Sequence, residues 1–336
     1  MPPQMVSTEY RVIDTLCQWL DAGHSVWLCT IVKTWGSSPR PAGSILAFHP
    51  EFGVVGSLSG GCIEEALIRK LALAHQVSNV IDLPFLYDYS ISEGDQARYS
   101  LPCGGQLTVL VERLTATPET CQHLNGILES LNNRQRIYRV VSLTGDGMAL
   151  STGPDNEHGM SVVKTVELAE LADSVTILFG PTFKMLLLGA GEVSFYVAQM
   201  AISVGFSVTL CDPRESFLQG WKQEGVEIIQ CLPDDLVRER FFDPYCAILA
   251  LAHDPRVDDM ALMEALKTEA FYIGAMGSLK TTEARCERLA QLDCSPAEIS
   301  QLHAPIGINI GSKKPAEIAI SIMAEVLATR HQFFNG

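Results

Sequence analysis

Apolar residues at positions 12, 13, 16, 19 and 20 recur at helical spacing with Gly23 just beyond them, so the pattern predicts a helix that stops at Gly23. The period then changes. VWLCTIVKT (26–34) is a strand candidate on its β-branched and aromatic content. GSSPRPAG (36–43), with two prolines and two glycines, is a loop. SILAFHP and GVVGSLS form a predicted hairpin that runs through a Gly-Gly-Cys turn into a helix over 63–75. GQLTVLVERL (105–114) is a further strand behind the glycine pair of LPCGGQL. From 118 to 180 the pattern gives a helix, a few short strands and polar turns, and no recognisable chemistry.

At 184 the grammar alters. KMLLLGAGEVSFYVAQMAISVGFSVTLCDPRESF reads as strand, glycine turn, a helix of about fourteen residues, and a second strand. Short apolar strands recur at VEIIQ (226–230), CAILAL (246–251) and FYIGAM (271–276), with helical stretches between them. That alternation predicts a doubly wound parallel sheet. The expected fold class is therefore α/β. A Rossmann-like nucleotide-binding domain spans 181–336, and an α+β domain spans 1–180. A length of 336 residues suits two domains of roughly 150 each.

Bulk composition removes several function classes. Hydrophobic content of 47% with 19% charged residues is ordinary for a globular protein. A formal net charge of −15 argues against a nucleic-acid binder or a binder of anionic membranes, because both need basic surface. No stretch approaches the ~20 apolar residues of a membrane span. MPPQMVSTEYR lacks the basic and apolar regions of an export signal, so a cytoplasmic location is expected. The ten cysteines include no CxxC pair, so a closed structural zinc site is not expected. Cys17, Cys29 and Cys246 lie in apolar runs and read as small buried hydrophobes.

Candidate chemistry concentrates at four places. GAGEVS (189–194) fits the dinucleotide fingerprint, with Ser194 in place of the third glycine. Gly189 would make the turn, Gly191 would let the backbone approach a phosphate, and Asp212, at the end of the next strand, would accept from a ribose hydroxyl. Arg214 could accommodate a 2′-phosphate, so NAD and NADP stay open, as does a Rossmann-like domain that binds no nucleotide. His253 and Asp254 follow a strand end, where the ligand crevice of an open sheet lies, and suit acid–base work or hydrogen bonding. Lys313 and Lys314 stand before Pro315, where cations oppose the helix dipole unless an anion binds, though a solvated pair explains them equally. Finally, GSLSGGC (56–62) is either a tight turn or a backbone cradle at Gly60 and Gly61, with Cys62 as a thiol at its rim.

Seven motifs in order, TWGSSPRPAGS, GSLSGGCIEEAL, LPCGGQL, LLLGAGEV, LAHDPRVDD, YIGAMGS and PIGINIGSKKPAEIAISIMAEVLA, resemble the xanthine dehydrogenase accessory protein family, XdhC/CoxI. The resemblance runs from about residue 10 to 330 and is weakest over 115–180. It implies a chaperone that holds the molybdenum cofactor, as molybdopterin or its dinucleotide form. Such a protein supports sulfuration and insertion of the cofactor into a molybdenum hydroxylase such as xanthine dehydrogenase. A cysteine desulfurase partner and a homodimer are also expected. By the same carry-over, Cys103 and Cys62 are the functional thiols, and Cys103 is a ligand candidate for molybdenum. Gly104 and Gly105 would add a second wall to the cradle, and Arg40 would clamp an anion. Two competing readings rest on the residues alone. One is an NAD(P)-dependent oxidoreductase with His253 as acid/base, the other a nucleotide-sensing regulator.

Overall fold

The computed structural model describes residues 7–35, 40–59, 62–76, 84–89, 106–145, 147–152 and 174–335. They form two compact units, Ser7–Pro181 and Thr182–Gly336. No helix among the described residues is long and apolar enough to cross a membrane.

In the first unit, α1 (Thr8–Asp21) is capped by Ser7, whose hydroxyl accepts from the Tyr10 N–H. The helix buries Val12, Ile13, Leu16, Cys17 and Leu20, the stripe its spacing implies. Gly23 then takes a left-handed φ of 85° beyond the helix end. β1 (Val26–Trp35), β2 (Ile45–His49), β3 (Gly53–Gly56), β4 (Phe85–Asp88) and β5 (Gln106–Leu114) pair antiparallel in the order β3-β2-β1-β5-β4. Alternation along β1 decides what each face meets. Val26, Leu28 and Val32 pack with α1 and α3 (Pro118–Asn132), while Trp27, Cys29 and Ile31 pack with α2 (Cys62–Gln76). A second antiparallel sheet, β7-β6-β8, comprises β6 (Ile137–Ser142), β7 (Met148–Ser151) and β8 (Ser174–Phe179). It closes the same core as α1 and α3.

The two sheets are joined by a buried charge network. Arg139 of β6 and Glu112 of β5 are 0% and 1% exposed, and the guanidinium holds the carboxylate through two bonds of 2.8 and 2.7 Å. The Arg139 Nε donates to His123 Nε2 of α3 at 3.0 Å. Burial first, and the neighbouring guanidinium second, push the His123 pKa down to about 4, so the imidazole stays neutral and accepts.

The second unit is built on a six-stranded parallel sheet. Its strands are β9 (Lys184–Leu188), β10 (Ser207–Cys211), β11 (Val226–Ile229), β12 (Cys246–Ala250), β13 (Tyr272–Ala275) and β14 (Leu302–His303), ordered β11-β10-β9-β12-β13-β14. This is the strand order of a dinucleotide-binding sheet, and its direction reverses between β9 and β12. Both faces are covered, which is why MLLL and CAILA read as unbroken apolar runs rather than alternating ones. α4 (Glu192–Ser203) and α10 (Pro315–Asn335) cover one face. α6 (Pro233–Arg240), α7 (Pro255–Ala265) and α8 (Leu279–Gln291) cover the other. The short helices α5 (Glu215–Leu218) and α9 (Pro296–Ile299) lie in connections. As the sequence indicates, Cys17, Cys29 and Cys246 are buried among apolar side chains.

Arg139→Met leaves Glu112 buried and uncompensated, so it should cost about 3–5 kcal/mol in chemical denaturation. Adding Glu112→Leu to that variant should recover most of the loss, since the pair is then replaced by apolar volume.

Candidate functional site

The sequence from β9 to α4 is a turn that only glycine can begin. Gly189 has a φ of 102°, and a Cβ there would lie 2.5 Å from the Ala252 Cα. The N–H of Gly189 donates to the Cys211 carbonyl at 2.9 Å. β9, β10 and the loop after β12 therefore converge on this one residue at the point where the strand order reverses. Gly191 differs. Its φ is −92° and nothing lies within 4 Å of where its Cβ would be. It serves as the N-cap of α4 with no side-chain cap, leaving the helix N-terminus facing open space, the arrangement that suits an anion. Ser194, in the third glycine position, is 0% exposed and its hydroxyl donates to the Gly189 carbonyl at 2.6 Å. Helix and turn thus stay close, joined by a bond glycine cannot make.

Asp212 is fully buried at the end of β10. Its Oδ2 accepts from the Ala190 N–H at 2.9 Å, and Arg214 grips both carboxylate oxygens at 2.8 Å while giving its own N–H to Oδ1 at 3.0 Å. Burial pushes the Asp212 pKa up, but the Arg214 fork and the two backbone donors outweigh it and hold the group below its ordinary value. Arg214 in turn stacks on Phe217, with the guanidinium 3.9 Å from the ring centre. The acceptor expected for a ribose hydroxyl is thus an internal clamp between the glycine turn and the next loop.

The opposite wall is fixed the same way. His253 is exposed in the loop after β12, with a left-handed φ of 55°. Asp254 caps α7 by accepting from the Arg256 N–H at 3.0 Å, and its carboxylate also holds the Arg256 side chain. Behind them sits a buried cluster that the sequence did not disclose. Asp258 Oδ1 accepts from the Ala252 N–H at 3.2 Å, and Oδ2 meets Arg285 at 3.4 Å. Arg285 also donates to Asp259 at 3.1 Å and to the Met276 carbonyl at 3.0 Å, while Arg288 binds Asp259 at 2.6 Å. The loops after β12 and β13 are tied together through these groups. Burial, offset in part by Arg285, raises the Asp258 pKa to about 6.

Lys313 and Lys314 are exposed before α10, and Lys314 lies 3.5 Å from Glu317 in the first turn, so one of the two unfavourable cations has its own partner. The segment leading there is anchored by Glu325 of α10, which accepts from the Tyr272 hydroxyl at 2.6 Å and the Gly307 N–H at 2.7 Å.

Of the candidates in the first unit, Arg40 is exposed in the turn between β1 and β2, and Cys62 opens α2. Gly60, Gly61, Cys103, Gly104 and Gly105 lie outside the described residues. The neighbouring turn carries a feature that no spacing rule reveals. Glu64 Oε2 accepts from the Ser57 hydroxyl at 3.0 Å and from the N–H groups of Leu58 and Ser59 at 2.9 and 3.2 Å. Two backbone donors of the expected cradle are therefore occupied by the protein's own carboxylate. Among the described residues, no three or more His, Cys, Asp or Glu side chains are grouped to hold a metal ion.

Residues 185–326 match the model of the XdhC Rossmann domain, and residues 19–79 match that of the XdhC and CoxI family. The chain is 27% identical over 321 residues to a probable xanthine dehydrogenase subunit of Bacillus subtilis, covering 90% of this chain and 92% of that protein. It is 24% identical over 319 residues to the molybdenum cofactor insertion chaperone PaoD of Escherichia coli, covering 93% and 86%. A crystal structure described as a xanthine dehydrogenase from Bacillus halodurans superposes with a TM-score of 0.71 at 26% identity, covering 95% of this chain and 96% of that one.

The two glycines should separate in a thermal or denaturant melt. Gly189→Ala is expected to cost on the order of 2–3 kcal/mol through strain and the clash with Ala252, whereas Gly191→Ala should cost about 1 kcal/mol or less as an altered N-cap. For Asp258 the folded pKa lies above the unfolded 3.8, so its contribution is full below that value and is lost as pH rises through about 6. Compared with Asp258→Asn, the wild type should gain up to about 3 kcal/mol in relative stability between pH 7 and pH 4. Denaturant midpoints across that range measure it.

Proposed function

We propose a function from one premise: the chain belongs to the XdhC and CoxI family. It acts as an accessory factor in the maturation of a molybdenum hydroxylase, holding the molybdenum cofactor as cargo and supporting its insertion into the client enzyme. The observation that carries this reading is the similarity to a molybdenum cofactor insertion chaperone along 93% of this chain, spanning both units rather than the Rossmann half alone.

The second unit is assigned a nucleotide-handling part in that task, a reading its geometry supports. The open N-terminus of α4 at Gly191 fits a diphosphate, and the crevice between the β9 and β12 loops fits the nucleotide portion of a dinucleotide-form cofactor or of NAD(P). Gly189 shapes the turn, the Asp212–Arg214 clamp braces that turn at Ala190, and Lys313 and Lys314 are assigned as added positive charge for phosphate. In the first unit, Cys103 and Cys62 are the thiols assigned to the cofactor, with Cys103 toward the metal because thiolate is a soft ligand. Arg40 and the glycines Gly60, Gly61, Gly104 and Gly105 are assigned to its phosphate. His253 is the proton-handling candidate at the crevice. A cysteine desulfurase as sulfur donor, a homodimeric state and a cytoplasmic site of action complete the reading.

The test is anaerobic incubation with molybdenum cofactor, desalting, and assay of molybdenum and pterin, with Cys103→Ser and Gly191→Val beside the wild type. Near-stoichiometric pterin in the wild type, with loss in Cys103→Ser at an unchanged melting temperature, is expected. Gly191→Val should abolish binding of a dinucleotide by filling the space at the helix N-terminus. No pterin in the wild type, together with saturable binding of NAD(P)H by fluorescence, would replace the chaperone reading with an NAD(P) oxidoreductase or sensor.

A further inference from the structure

Cys211 is the last residue of β10, and Cys231 lies two residues past the end of β11. Their Sγ atoms are 3.5 Å apart, at van der Waals contact, and Cys211 Sγ also donates to the Cys231 carbonyl at 3.4 Å. Cys211 is 0% exposed, whereas Cys231 is half-buried and reachable from solvent. That distinguishes the pair from Cys29 and Cys246, which are wholly enclosed. Cys211 is also the residue before Asp212, and its carbonyl holds the Gly189 N–H. The two thiols therefore touch just behind the strand end where β10 delivers its clamp.

We propose that Cys211 and Cys231 are a modification site that closes to an intrachain disulfide under a peroxide oxidant. Cys231, as thiolate, attacks one peroxide oxygen. An S–O bond forms, the O–O bond breaks, and the leaving hydroxide takes up a proton as water. The Cys211 sulfur, losing its proton, then attacks the Cys231 sulfur. An S–S bond forms and the sulfenic hydroxyl leaves as a second water. Two thiols and one hydrogen peroxide thus give one disulfide and two waters, with two electrons passing from sulfur to oxygen. A disulfide needs the sulfurs at about 2.05 Å, so about 1.5 Å must be closed. Cys211 is fixed by pairing of β10 to both β9 and β11, so the segment around Cys231 moves. That segment also holds the Pro213 carbonyl through Gln230 at 3.5 Å, which carries the movement to the Asp212 loop. Burial holds both thiols above their ordinary pKa; the neighbouring Cys231 and, less, Asp212 raise Cys211 further, while the hydrogen bond from Cys211 offsets part of the rise at Cys231, to which Asp235 and Asp234 add. Closure is therefore slow at neutral pH and quickens as pH rises.

The experiment treats the full chain with hydrogen peroxide, alkylates the remaining thiols under denaturing conditions, and maps the peptides by mass. The expected product is a Cys211–Cys231 linked peptide pair lacking two hydrogens, released by dithiothreitol, and formed faster at about pH 8.5 than at about pH 7. Cys231→Ser and Cys231→Ala should each abolish it. Recovery of Cys231 as an over-oxidised or alkylated monomer with Cys211 still reduced, or linked to any other cysteine, overturns the proposal. The mapping on wild type alone decides it if a variant fails to fold. Because the readout is covalent, it stands or falls independently of nucleotide or cofactor binding.

Discussion

The second unit depends on one close approach, that of the Gly189 turn to the backbone of Ala252. With no side chain at 189, the β9 turn can lie against the loop after β12, and the two neighbouring strands at the switch point share a single edge. Everything else at that edge reinforces this approach. Asp212 binds the turn at Ala190, Ser194 binds it at the Gly189 carbonyl, and Asp258 binds Ala252 from behind. The turn is thus held by hydrogen bonds at Ala190, Gly189 and Ala252, and the start of α4 at Gly191 carries no side-chain cap. A frame of this kind offers main-chain donors more than exposed side chains, the chemistry that suits a phosphate-bearing molecule.

The first unit follows a different logic. Its two sheets meet through a charge pair deep in the core, and a neutral histidine completes the set. A buried pair of this kind contributes little net stability but punishes any arrangement that separates its members. It favours one packing of the β6 sheet against the β5 sheet over others that bury the same apolar area. Region 118–180, which offered no chemistry in sequence, holds the half of this network that decides how the sheets face one another.

The strand order of the second unit was legible because runs such as MLLL and CAILA and the spacing from Gly189 to Asp212 obey local rules. So were the β1 to β3 meander and α1, whose periodicities are clean. What stayed hidden is long-range. Glu112 and Arg139 are twenty-seven residues apart, as are Asp258 and Arg285, and neither partner predicts the other by spacing. A clue was present: a charged residue inside an apolar strand, as in LVERL or IYRVV, must find a counter-charge once buried. Asp212 shows the other limit. Sequence placed it correctly at the strand end, yet the identity of its partner, Arg214, turns an acceptor for ligand into a brace for the loop.

Glu64 adds a matter of selectivity. Cells are full of small anions that would settle on any vacant array of N–H groups. At the Ser57–Ser59 turn they meet a carboxylate already in place, tethered by its own helix and so present at high local concentration. Free phosphate, with one charge centre and no further contacts, would have to compete with that tethered carboxylate. A larger ligand that engaged other surfaces at the same time would not have to outbind the carboxylate at this turn alone. The loop would then discriminate by size and reach, qualities that a bare cradle of glycine amides lacks.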